Sequence, residues 1–170
     1  CVIEAKDNTS AIQWQASSSD QERNLQYTIT NHGRISSNKI GIDLSRSHLR
    51  STTSCTTDYV LRNYGDISGA ESGVRFLIKD NSAVIRTNVE NFNTISSSKG
   101  EALVFSIGSA NSHTAHIVNH QDASLKGTTY AVSMGCYNPS LRNGKKMLNV
   151  ENDGSIRGGF SFASYASEVP

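Results

Sequence analysis

Apolar and polar residues alternate with period two along most of this chain, and that pattern restricts the fold more than any other feature. It is plainest from Gly73 to Glu90, where Val74, Phe76 and Ile78 fall on one side of an extended chain and Arg75 and Lys79 on the other. Asp80-Asn81-Ser82 then reads as a tight turn and Ala83-Val84-Ile85-Arg86 as a second extended run, so a β-hairpin is expected here. The same grammar recurs in Ile12-Trp14-Ala16, Leu25-Tyr27-Ile29, Ile40-Ile42-Leu44 and Tyr130-Val132-Met134. Val2–Ala5, Tyr59–Leu61, Thr114–His120 and Met147–Val150 are shorter strand candidates, and Ile156–Ala166 closes the chain. Glu101–Ile107 is apolar on both faces, which fits a central strand buried on both sides.

Turn residues separate these runs: Asn31-His32-Gly33, Tyr64-Gly65-Asp66, Asn138-Pro139-Ser140 and Asn152-Asp153-Gly154, the last a strong hairpin signal. Residues 45–56 and 91–100 read as long polar loops. No segment carries a helical apolar stripe. The only prolines are Pro139 and Pro170, so few strands are pushed to sheet edges. The pattern predicts an all-β chain: residues 1–170 as a single antiparallel β-sandwich or jelly-roll domain with long polar loops. Neither a repeat of the propeller or β-helix kind nor a dividing linker is discerned. The expected core is Leu25, Tyr27, Ile29, Ile42, Leu44, Phe76, Ile78, Leu103, Phe105 and Val132, with Trp14 packed on it.

Composition narrows the partners. Charged residues make up 18% of the chain and the net charge is +1, so the basic excess of a nucleic-acid binder is missing. No apolar run approaches the ~20 residues that cross a bilayer. Abundant Ser, Thr and Asn on a weakly charged background points to a secreted or cell-surface β protein. The three cysteines, Cys1, Cys55 and Cys136, form no Cys-x-x-Cys pair, which argues against zinc ribbons and thioredoxin-like motifs. A Cys55–Cys136 disulfide is the preferred pairing, closing a long loop between two strand ends, with Cys1–Cys55 as its competitor. Cys1 is otherwise left for lipid or for a neighbouring chain.

The catalytic motifs are thin. His113, His116 and His120 are spaced for metal ligation on a helix, but Ile117-Val118 favours a strand. On a strand His116 and His120 share a face at ~13 Å, too far apart for one ion. They are the weak metal alternative to no metal and no cofactor. Gly-x-Ser-x-Gly is absent, as is a phosphate-cradling glycine loop. Carboxylate pairs for glycoside hydrolysis assemble in space, so sequence does not address them.

Binding remains. Tyr64, Asp66, Tyr137, Asn138 and Asn143 are the ligand-contact candidates, because turn-borne polar groups and a flat ring suit a carbohydrate or protein ligand. The terminal strands offer a second mode, pairing with a strand of a neighbouring subunit. The expected function is that of a non-enzymatic binding module, secreted or at the cell surface. A bacterial adhesin or fimbrial or fibre subunit fits best, meeting a glycan or protein on another cell or its own neighbours in a fibre. The alternatives are a viral or phage capsid or receptor-binding jelly-roll and a secreted hydrolase.

Overall fold

The computed structural model describes residues 1–16, 25–48, 56–80, 84–107, 112–136 and 145–163. These residues form seventeen strands and no helix. In chain order they are β1 (Val2–Ala5), β2 (Ile12–Ala16), β3 (Leu25–Asn31), β4 (Arg34–Ser37), β5 (Ile40–His48), β6 (Thr56–Asn63), β7 (Asp66–Gly69), β8 (Ser72–Asp80) and β9 (Val84–Asn91). There follow β10 (Thr94–Ser97), β11 (Glu101–Ile107), β12 (Ser112–Asn119), β13 (Ser124–Lys126), β14 (Val132–Cys136), β15 (Lys145–Asn152), β16 (Ser155–Arg157) and β17 (Phe160–Ala163).

Every third strand belongs to the same sheet. The orders are β1-β4-β7-β10-β13-β16, then β17-β14-β11-β8-β5-β2, then β15-β12-β9-β6-β3. Each pairing within them is parallel. The chain therefore winds as a β-solenoid, and each rung lays one strand on each of three sheets. This overturns the antiparallel sandwich or jelly-roll. Alternation reports a half-buried strand but not the direction of its neighbour. Here the neighbour lies about thirty residues away: Arg34 pairs with Asp66, Asp66 with Thr94, and Thr94 with Ser124.

The expected hairpin from Gly73 to Glu90 is likewise replaced. β8 pairs with β5 and β11, whereas β9 pairs with β6 and β12 in a different sheet. Asn152-Asp153-Gly154 is a corner between two sheets rather than a hairpin turn. The expectation of no β-helix repeat is corrected too.

Parallel in-register pairing places like residues above one another, and the core is a set of vertical rows inside the three sheets. One row runs Ile42, Val74, Leu103, Val132, and the next Leu44, Phe76, Phe105, Met134; all eight are buried. Phe76 and Phe105 stack at 5.2 Å. Complete burial of such a side chain is worth about 1.5–3 kcal/mol. The first sheet contributes a single inward row, Ile35, Ile67, Ile95 and Leu125. Of the expected core, Ile42, Leu44, Phe76, Ile78, Leu103, Phe105 and Val132 are buried, Tyr27, Ile29 and Trp14 pack against the core in part, and the side chain of Leu25 lies outside what is described. β11 is central in its sheet, but only one of its outer residues, Ala102, is buried.

Candidate functional site

Five asparagines turn the chain from the third sheet back to the first: Asn31, Asn63, Asn91, Asn119 and Asn152. They stack in one row, each Nδ2 donating to the next Oδ1 at 2.8, 2.9, 2.8 and 2.7 Å. Four of the five side chains also donate across their own corners, to the carbonyls of Gly33, Asn93, Ala123 and Gly154. A buried amide is tolerated only when its donors and acceptor are met, and the ladder meets them along its length. The residue after each of the first four asparagines builds a second stack on the outside. His32, Tyr64, Phe92 and His120 lie nearly parallel, with ring centroids 4.8, 4.5 and 3.9 Å apart.

Four of these corners place three residues' spacing between the asparagine and the first residue of the next strand, as in Asn31 to Arg34 and Asn63 to Asp66. The fourth places five, Asn119 to Ser124. His120 keeps its place in the ring stack and Ala123 O takes the amide that Gly33 O takes elsewhere. The two extra residues are therefore Gln121 and Asp122. Asp122 adopts φ +65°, the left-handed region that Asp tolerates better than most residues. Directly beneath, Gly154 has no room for a Cβ, which would collide with Ala123 O, His120 O and Asn119 Nδ2.

The inserted pair makes one wall of a surface hollow of about 500 Å³, lined by Gln121, Asp122, Ser124, Lys126, Asp153, Ser155 and Arg157. Its floor is β13 and β16, in which Ser124 faces Ser155 and Lys126 faces Arg157 in register. Neighbouring strands lie ~4.8 Å apart, so the two cations are close enough to hold one anionic group between them. Asp122 and Asp153 stand on the corner side. Ser124 is 8% exposed, and its buried Oγ has no hydrogen-bond partner among the described residues.

The structure sorts the sequence candidates. Tyr64 is sandwiched between His32 and Phe92, so neither ring face is open to a sugar. Asp66 opens β7 as an exposed residue, two corners away from the hollow. Tyr137, Asn138, Asn143 and Cys55 lie outside the described residues. Cys136 ends β14. His116 points outward and meets Glu151 Oε1 at 3.0 Å, while His120 is locked in the corner stack. Among the described residues no group of three His, Cys, Asp or Glu is arranged to hold a metal. His113, on the opposite face to His116, is fully buried, with Nε2 3.0 Å from Thr87 Oγ1. Burial, aided by the charge of Lys146, lowers its pKa to about 4. Sequence reasoning missed the hollow, whose one signal was the lengthened fourth corner. No described helix is long and apolar enough to cross a membrane.

What the fold and site define is a class: a three-sheet parallel β-solenoid with one corner opened into a polar hollow of mixed charge. Set against known proteins, the chain matches no family model, no curated protein and no solved structure.

Proposed function

We propose that this chain is a binding module of the secreted or cell-surface kind, in an adhesin or fibre, and that its ligand is an acidic saccharide seated in the fourth-corner hollow. The observation that carries the reading is the placement of Lys126 and Arg157 side by side on the same floor as Ser124 and Ser155, facing Asp122 and Asp153. Paired cations suit the carboxylate or sulfate of a sugar acid, with Arg supplying a planar fork. Carboxylates, an amide and hydroxyls around them suit the sugar's ring hydroxyls. A site on a rigid ladder also gives up little ordering entropy on binding.

Titration calorimetry with uronic-acid and sulfated oligosaccharides, beside neutral ones of equal length, tests this. Acidic sugars are expected to bind, and Lys126→Ala is expected to weaken them about tenfold, the size of losing one charge-assisted contact. Equal binding of neutral and acidic sugars, or none of either, would sink the proposal.

A secreted hydrolase is the second reading, favoured by Asp122 and Asp153 lining the same hollow. Release of reducing ends from an acidic polysaccharide, abolished by Asp122→Asn, would move the function to catalysis.

A further inference from the structure

Charged side chains are paired on two of the three sheets and left unpaired on the other. Among the described residues the ion pairs Asp43–Arg75, Asp58–Arg86 and Arg62–Glu90, and the His116–Glu151 contact, all lie on the second and third sheets. The first sheet has none. Arg34 and Asp66 are exposed and stand side by side in register, yet they form no ion pair with each other. Lys126 and Arg157, further along the same sheet, also lack an acidic partner among the described residues.

The hydroxyls of this sheet follow suit. Its inward residues alternate with two outward rows, one running Arg34, Asp66, Thr94, Ser124 and the other Ser36, Ser68, Ser96, Lys126. Ser36 is 9% exposed and Ser124 8%, and the Oγ of each is buried with no hydrogen-bond partner among the described residues. A buried hydroxyl without a partner costs free energy. Both stand on outward rows, where a ligand lying on the sheet can meet them.

We propose that the outer face of the first sheet is one extended binding surface, and that its ligand is an acidic polysaccharide laid along the solenoid axis, across the strands. The fourth-corner hollow is one end of its path. This rests on the saccharide reading of the hollow and extends it from one sugar to a chain. Strands of a sheet lie ~4.8 Å apart, close to the advance of one pyranose unit in an extended chain, so successive units keep step with successive rungs. Lys126 and Arg157 hold the acidic group of one unit in the hollow. Arg34 lies four strand spacings from Arg157, ~19 Å, and holds the acidic group of another. Between these cations Asp66, Thr94 and the serines offer acceptors and hydroxyls, which suit neutral sugars. The ligand class is therefore a polysaccharide in which neutral units separate the acidic ones.

Titration calorimetry with oligosaccharides of alternating acidic and neutral sugars tests this, a disaccharide beside a hexasaccharide. The disaccharide reaches only the hollow, whereas the hexasaccharide spans the distance to Arg34. The hexasaccharide is expected to bind about tenfold more tightly, the gain of one further charge-assisted contact. Arg34→Ala is expected to bring it down to the level of the disaccharide. Arg34→Gln, which keeps the stem of the side chain, is expected to do the same and guards against a folding defect in the alanine variant. Equal affinity of the two lengths for the wild-type chain, or a length gain that survives either substitution, overturns the extended surface and leaves the hollow as a site. Binding of neither oligosaccharide overturns the hollow and the extended surface together.

Discussion

Asn91 sits at the middle of the amide ladder and is fully buried. It accepts from Asn63 and donates to Asn119, to Asn93 O and to Ser124 O. Asn91→Ala removes one side chain and orphans polar groups on both neighbours, so its cost exceeds that of a single hydrogen bond. Leaving a buried polar group unpaired costs about 1–3 kcal/mol, and urea unfolding is expected to show a loss of at least that size. His113 sets a different dependence. Its folded pKa of about 4 lies below the ordinary 6.5, so the folded chain resists a proton that the unfolded chain takes up. Stability is therefore full above pH ~6.5, declines as pH falls toward ~4, and takes no further loss from this group below that; the total is up to about 3 kcal/mol. His113→Leu is expected to flatten the melting-temperature profile across that window relative to wild type, and an unchanged slope would remove His113 as its source.

The elements were legible in unequal measure, for a physical reason. Strands of the second and third sheets are long enough for period two to show, and Leu25-Tyr27-Ile29, Ile42-Leu44 and Leu103-Phe105 are readable as strands from their own residues. Those of the first sheet are three or four residues long and carry one inward apolar side chain each, Ile35, Ile67, Ile95, Leu125 and Ile156. A lone Ile among serines has no local period and reads as loop. It becomes a signal only beside its counterparts, which recur at intervals of 32, 28, 30 and 31 residues, while the asparagines recur at 32, 28, 28 and 33. The uneven interval is what hid the repeat, and the lengthened fourth corner is part of the unevenness. Deleting Gln121 and Asp122 brings that corner to the length of the others. The β spectrum is expected to survive the deletion and binding of acidic sugars to disappear with the hollow wall; retained binding would place the ligand elsewhere. Strand order also bears on the cysteines. Thr56, the residue after Cys55, opens β6 in the second rung, while Cys136 ends β14 in the fifth. Three strand spacings put Thr56 and Cys136 ~14 Å apart along the axis, while Cys55 itself lies outside the described residues, and peptide mapping under non-reducing conditions decides its pairing.

The described strands form a stack, and among them each rung touches only the rungs above and below it. Stability in such an array is close to a sum of rung and interface contributions. The expected sandwich would instead have tied distant parts of the chain into one core. The equal spacing from Asn63 to Asn91 and from Asn91 to Asn119 has a genetic counterpart. Residues 64–91 begin just after one ladder asparagine and end on the next, and they supply β7, β8 and β9, one strand for each sheet. A tandem duplication of that 28-residue cassette would add a floor to the building without disturbing the floors on either side. Such a chain is expected to fold and, by small-angle scattering, to be longer by about one strand spacing, ~4.8 Å. Length is then a heritable variable that can drift by in-frame duplication or loss while every surviving corner keeps its own chemistry.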